Sequence, residues 1–286
     1  MQELATGYGL IEGPTWATGQ GLLFSDVVNG GVHCLAADGL IETVLPHRKG
    51  VGGIKLHADG GLVVCGRNVS WKPLGGGDGH VLLDRDETLG TVGFNDSGTD
   101  PDGRIYVGSL CFSPVGAGDS EPKPGYLHMI DLDGSTRLLA RGIELTNGVG
   151  VSPAGDRLFH ADTRTGQVWA YDRAPDGSVG PRRSFAKLGD SGWPDGLAIG
   201  ADGSVWVADA TGGLVWGFEP DGSVRRKLDV PLPMVTSLCF GGDDLKTLYV
   251  VTGSRGADRE NAGTIYAADA GIAGLPVPPA RVRLPA

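Results

Sequence analysis

PDGLAIGADGSVWVAD, residues 194–209, decides the fold. Apolar residues run up to a central Ala-Asp-Gly, and alternating β-branched and aromatic residues leave it. That is the pattern of two short antiparallel strands joined by a tight hairpin. The same pattern recurs as GGIKLHADGGLVVCG (52–66), NDSGTDPDGRIYVGS (95–109) and NGVGVSPAGDRLFHAD (147–162). A weaker copy is TSLCFGGDDLKTLYVVT (236–252), and a degenerate one is EGPTWATGQGLLFSD (12–26). The turn glycines Gly60, Gly103, Gly155 and Gly203 stand 43, 52 and 48 residues apart, close to the ~45 residues of a four-stranded propeller blade. Between copies lies a second hairpin, as in GYLHMIDLDGSTRLLA (125–140) and LVWGFEPDGSVRRKLD (214–229). Two hairpins form one four-stranded antiparallel sheet. Such a sheet has two apolar faces and cannot bury them alone, so neighbouring sheets must stack, and six copies close into a ring. The expectation is an all-β, six-bladed β-propeller forming one domain over 1–286, with the Pro-rich PVPPARVRLPA (276–286) as a tail.

Composition agrees. Glycine, 50 of 286 residues, far exceeds its usual ~7% and suits many tight turns. It disfavours helices, where each interior Gly costs about 1 kcal/mol against Ala. The formal net charge is −10, from 24 basic and 34 acidic residues. A nucleic-acid backbone or an anionic membrane surface is therefore a poor partner. No run approaches the ~18 apolar residues of a membrane-spanning helix. The N-terminal MQELATGYGLIEGP has no signal-peptide pattern, and Cys34, Cys65, Cys111 and Cys239 are scattered without a CxxC pair. A cytoplasmic protein with reduced thiols is expected.

Chemistry is sought where the repeats begin. The first strand of each blade lines the central channel, so the residues that lead it crowd at one mouth. They are Glu12, the Gly52–Gly53 pair, Asn95, Asn147, Asp195 and Thr236. Four of the six positions offer a hard oxygen ligand, two as carboxylates and two as carboxamides. That set suits one divalent cation, with positions left for water and substrate. Asp-Gly and Asn-Gly are also turn dipeptides, and Asp59, Asp102, Asp202 and Asp221 read as turns only. Asn147 and Asp195 differ because they precede the inner apolar run. Glu12, in EGP, has no turn rationale at all. Trp16 and Trp193 stand near the proposed ligands and are candidates to line the pocket. The six histidines, His33, His47, His57, His80, His128 and His160, show no zinc spacing. His57 and His160 read as packed strand residues. No GxSxG elbow and no phosphate-binding glycine loop followed by a helix is present.

The series EGPTW, LLFSDV, FNDSGTDPDGRIYVGS, NGVGVSP, LFHADT, PDGLAIGADGSVWVA and CFGG resembles the senescence marker protein-30 / gluconolactonase / luciferin-regenerating enzyme family, in order, from about residue 10 to 275. The resemblance implies a six-bladed propeller with one divalent metal in its channel, held by Glu12, Asn147 and Asp195. It implies that Asn95 touches substrate or a bound water, although NDS replaces the family's N-D-G. Sugar-lactonase members often carry an Arg two residues before that Asn, where this chain has Gly93. An acidic residue that follows the next strand in the family is replaced within SLCFSPVGAG (109–118) by Cys111, Phe112 and Ser113. Phe112 therefore points to a less polar substrate pocket.

The activity implied is opening of a lactone ring, on a sugar lactone or a less polar one. A calcium, zinc, manganese, magnesium or iron ion would polarise the carbonyl. Asp195 would be the general base as well as a ligand, and Asn95 would orient substrate or water. Asp96 could support them, whereas Asp100, in a DPDG turn, reads as structural. Two alternatives stand beside this: phosphotriester hydrolysis at the same site, and a non-enzymatic binding platform. A lactone or ester is the expected partner, and a closed ring leads one to expect a monomer.

Overall fold

The structure, a computed structural model, describes residues 1–46, 48–115 and 121–285. His47, one of the histidines considered above, and Gly116–Gly118 of the SLCFSPVGAG stretch lie outside the described residues. Twenty-four strands among the described residues form six four-stranded antiparallel sheets. Strand β1 (Gln2–Tyr8) opens the chain. Blade 1 is β2 (Ile11–Ala17), β3 (Gly21–Asp26), β4 (Val32–Leu35) and β5 (Ile41–Leu45). Blade 2 is β6 (Gly53–Leu56), β7 (Leu62–Cys65), β8 (Val69–Lys72) and β9 (His80–Leu83). Blade 3 is β10 (Gly93–Thr99), β11 (Ile105–Leu110), β12 (Gly125–Ile130) and β13 (Thr136–Ile143). Blade 4 is β14 (Thr146–Val151), β15 (Arg157–Asp162), β16 (Gln167–Asp172) and β17 (Arg183–Lys187). Blade 5 is β18 (Pro194–Ile199), β19 (Val205–Asp209), β20 (Leu214–Phe218) and β21 (Val224–Asp229). Blade 6 is β22 (Val235–Gly241), β23 (Thr247–Thr252) and β24 (Gly263–Asp269), completed on its outer edge by β1. One 3-10 turn, Thr163–Thr165, is the sole helical element among the described residues.

This is the six-bladed propeller the repeat predicts. Within each blade the strands run in sequence order from the channel outward, so every connection is a hairpin. The turn at Gly203 requires φ of +84°, which glycine adopts without a Cβ penalty. The last blade differs. Its fourth strand comes from the far end of the chain, and β1 pairs with β24 from Gln2↔Ala267 to Tyr8↔Gly263. That pairing closes the ring.

The core is divided among the joints. Six buried apolar clusters each join one blade to the next. Ile54, Leu62 and Val64 of blade 2 pack with Ala17, Leu23 and Val32 of blade 1, for example. Val205, Val207 and Phe218 of blade 5 pack with Phe159, Ala161 and Val168 of blade 4. Each sheet thus buries both faces against its neighbours, as the repeat argument requires.

The C-terminal segment, expected as a tail, lies docked across the channel's far mouth. Leu275 N–H donates to Ile199 O, Ala280 N–H to Leu56 O, Arg281 N–H to Gly103 O and Arg283 N–H to Leu132 O. Ala280 and Val282 are fully buried in the cluster between blades 2 and 3. Apolar residues at 280 and 282 share one face of an extended segment and supply the reason it docks.

Candidate active site

The six inner strands β2, β6, β10, β14, β18 and β22 line the channel, and their first residues meet at one mouth. In five of the six blades the pairing of first and second strands shifts register just after its start. The shifts fall between Glu12 and Thr15, Phe94 and Ser97, Thr146 and Val149, Pro194 and Leu197, and Val235 and Ser237. A bulge leaves one residue unpaired and re-aims its side chain. The bulged residues include Asn95, Asn147, Asp195 and Thr236, and Glu12 opens its own bulge. Blade 2 pairs regularly and presents the glycines of VGGI.

Bulged backbone needs other partners, and hydroxyls supply them. Ser25 Oγ donates to Glu12 O at 3.1 Å and to Val51 O at 2.6 Å. Thr163 Oγ1 donates to Pro194 O at 2.7 Å, and Thr236 Oγ1 to Ile11 O at 2.5 Å. Thr236 is thereby used up in joining blades 6 and 1. The glycines that follow Asn147 and Asp195 are not turn residues either. A Cβ on Gly148 would collide with the Leu197 backbone N–H, and one on Gly196 with the Ser237 side chain. Neither has positive φ. Here Asn-Gly and Asp-Gly mark close approach between inner strands rather than a turn.

Glu12, Asn95, Asn147 and Asp195 all line one cavity of about 590 Å3. Asn95 Nδ2 donates to Asn147 Oδ1 at 2.6 Å and to Thr146 O at 2.8 Å. Asn147 Nδ2 donates to Thr163 Oγ1 at 2.7 Å. The carboxamides are therefore fixed in orientation, with Asn95 Oδ1 turned towards Gly52. Asp195 is buried, and its Oδ1 has no hydrogen-bond partner. Burial, together with the Asp195 and Asp96 charges, pushes the Glu12 carboxyl well above the usual carboxylate range. Burial and the Asp96 charge do the same to Asp195.

Two carboxylates facing one another without a neutralising side chain in contact are costly unless a cation joins them. Among the described residues no three His, Cys, Asp or Glu side chains group as a metal site. The donors here are two carboxylates and carboxamide oxygens, a hard set whose charge matches a divalent cation. The residues fit such an ion, and Glu12, Asn147 and Asp195, which line the cavity together, could hold it.

Phe112 and Trp193 also line this cavity, with Gly93, Phe94, Leu145 and Met234. Trp16 does not. It stacks on Tyr249, with ring centroids 5.6 Å apart, and lines a second cavity of about 380 Å3 at the far end of the channel. The strand explains this: four residues beyond Glu12, at ~3.3 Å each, carry the chain about 13 Å down the channel. Asp96 points the same way, into the far cavity, with Lys55 Nζ 3.9 Å from its Oδ1. Asp100 is structural. It caps its own turn by accepting from the N–H groups of Asp102, Gly103 and Arg104, and it pairs with Arg173. His57 bonds Val282 O and His160 bonds Thr146 Oγ1, both as packed residues.

A further set of carboxylates stands behind these residues. Asp26, Asp162 and Asp209 end the second strands of blades 1, 4 and 5 and are almost wholly buried. Each accepts from backbone N–H groups just ahead of an inner strand. Asp26 accepts from Gly9 at 3.0 Å, Asp162 from Leu145 at 3.0 Å and Asp209 from Trp193 at 3.1 Å. Two or three residues later come Glu12, Asn147 and Asp195. The three blades with this clamp are the three that supply those residues. Its signal stood in the repeat, as FSD, HAD and VAD.

The family model described as SMP-30/Gluconolactonase/LRE-like region matches residues 10–254. A 6-deoxy-6-sulfogluconolactonase of Pseudomonas putida is 31% identical over 280 residues, 92% of this chain and 88% of that one. Pentonolactonase XacC of Haloferax volcanii is 31% identical over 303 residues, 98% of this chain and 97% of that one. Among solved structures, a luciferin-regenerating enzyme superposes with a TM-score of 0.86 at 22% identity, covering 98% of this chain and 99% of that one.

Proposed function

The chain belongs to the SMP-30/gluconolactonase/LRE-like family, and from that premise we propose that it is a metal-dependent lactonase acting on a sugar-derived lactone. The reaction is hydrolysis: water adds to the carbonyl carbon, the ring C–O bond breaks, and a hydroxy acid leaves. The observation that supports it is the convergence of Glu12, Asn95, Asn147 and Asp195 on one cavity, with Asp195 Oδ1 buried and unpartnered. The names of the two curated relatives supply the substrate class.

A divalent cation held by Glu12, Asn147 and Asp195 would supply Lewis-acid polarisation of the carbonyl. Asp195 takes the proton of the attacking water at Oδ1, the oxygen that has no hydrogen-bond partner. Asn95 holds a substrate hydroxyl or the water at Oδ1, since its Nδ2 is committed to Thr146 and Asn147. Phe112 and Trp193 flank the substrate and exclude bulk water.

The test is elemental analysis of the purified protein, with kcat/KM on a lactone panel before chelation, after it and after add-back of calcium, zinc, manganese, magnesium or iron. One equivalent of divalent metal is expected, with activity lost on chelation and restored by one of these ions. Asp195→Asn should lower kcat/KM by about 10^3-fold or more. Full turnover by metal-free protein would overturn the reading. Faster turnover of a phosphotriester panel would redirect it to the other ester class.

A further inference from the structure

Among the described residues, the exposed charges that line the cavity are all of one sign. Its lining includes Arg67, Arg164 and Arg255, all exposed, while its acidic groups, Glu12 and Asp195, lie at the floor. In a chain with 34 acidic and 24 basic residues, that separation is not what composition alone would place there.

The three arginines occupy equivalent positions. Each sits in the connection from the second to the third strand of its blade: Arg67 between β7 and β8, Arg164 between β15 and β16, Arg255 between β23 and β24. These are blades 2, 4 and 6. In blades 1, 3 and 5 the same connection gives the cavity Val27, the Phe112–Val115 stretch and Ala210. Among the described lining residues, an arginine from blades 2, 4 and 6 therefore alternates with uncharged residues from blades 1, 3 and 5.

Five other arginines serve ion pairs, while Arg157 and Arg182, for example, bond main-chain carbonyls instead. Arg104, Arg137, Arg173, Arg183 and Arg225 all pair with carboxylates. Among the described residues none of Arg67, Arg164 and Arg255 makes such a pair. Arg255 lies over the Trp193 ring, 5.7 Å from its centroid, and reaches Ala210 O at 3.4 Å. Guanidinium groups above apolar walls concentrate anions, and they bind carboxylate, sulfonate and phosphate oxygens through paired N–H donors.

We propose that the natural substrate is an anionic lactone, whose second, non-reacting acidic group is drawn to the rim that Arg67, Arg164 and Arg255 make cationic while its ring lies over Asn95 and Asp195. The proposal rests on the lactonase reading for its ring and on the arginines for its charge. The acidic group, whether carboxylate, sulfonate or phosphate, sits away from the scissile carbonyl.

The experiment compares kcat/KM for D-glucono-1,5-lactone with that for its counterparts bearing phosphate, sulfonate or carboxylate at C6. The wild-type protein and the Arg67→Gln/Arg164→Gln/Arg255→Gln variant are both assayed. Calorimetry with sorbitol and sorbitol 6-phosphate reads binding without reaction. At least one charged lactone should exceed the neutral one by tenfold or more at low salt, with the ratio shrinking as salt rises. In the variant the ratio should fall to within about threefold of one, and sorbitol 6-phosphate should lose its advantage over sorbitol. A wild-type ratio near or below one, a ratio unmoved by the substitutions, or equal binding of the two polyols would overturn the proposal. If no lactone is turned over yet sorbitol 6-phosphate binds tightly through the arginines, the hydrolytic reading fails and the anion site stands.

Discussion

Gly52 shows how little room the site leaves at single residues. A Cβ there would collide with Asn95 Oδ1 and lie 3.3 Å from Asn95 Cα. Its φ is not positive, so alanine suits the local backbone, but the carboxamide must move and the Asn95 main chain must give slightly. Gly52→Ala should reduce kcat/KM by about 10–100-fold, the cost of misplacing a positioning group, with Tm nearly unchanged in a thermal melt. Asp162→Asn replaces one acceptor of the clamp with a donor facing the N–H groups of Glu144 and Leu145. It should cost about 1–3 kcal/mol in chemical denaturation and weaken metal binding in calorimetry by roughly tenfold. Acid sensitivity follows from the buried imidazoles. Burial pushes His160 down to about 3 and His128 down to about 4. In the unfolded chain both take protons near pH ~6.5, so stability present above that value drains away as pH falls towards 4. His160→Gln should flatten the loss between pH 6.5 and 5 by up to ~1.4 kcal/mol per pH unit. Glu12, Asn95, Asn147 and Asp195 were legible because they recur at one place in a repeat. The arginines of the rim were not, since the connections that hold them share no spacing or composition. Trp16 was misplaced because closeness in sequence along a strand is distance along a channel.

Individual elements show where sequence pattern is ambiguous. The hairpins were readable from alternation and turn residues, and they stand where the repeats place them. The bulges were not, because Asn-Gly and Asp-Gly look the same in a turn and in a close approach such as that of Gly148 to Leu197. The end of the chain was harder still. Four prolines in PVPPARVRLPA suppress the strand pattern, yet the segment is fastened by main-chain bonds to blades 2 and 3 and buries Ala280 and Val282. Truncation after Pro276 would uncover Val63, Phe94 and Ile130 beneath it. A loss of about 3 kcal/mol or more is expected, measured by urea denaturation of the shortened chain.

The whole molecule depends on one joint that is not a covalent continuation. Blade 6 has three of its strands from residues 235–269 and its outer strand from residues 2–8. The β1 side chains Leu4, Ala5 and Tyr8 pack against the cluster between blades 6 and 1, and Tyr8 meets Phe24 edge-on at 5.1 Å. Deleting residues 1–9 leaves β24 with an open edge and the ring without its clasp. The expected result is loss of a single cooperative melting transition, with association visible by size-exclusion chromatography; retention of a sharp transition would show that the other five joints suffice. The register shifts at the strand heads have a different consequence. Each lies where ladder pairing has already been interrupted, so the side chain it displays can change without breaking a ladder hydrogen bond. Natural variation can therefore rewrite the displayed letters of this mouth like type in a fixed frame, while the glycines that let the inner strands touch are part of the frame itself.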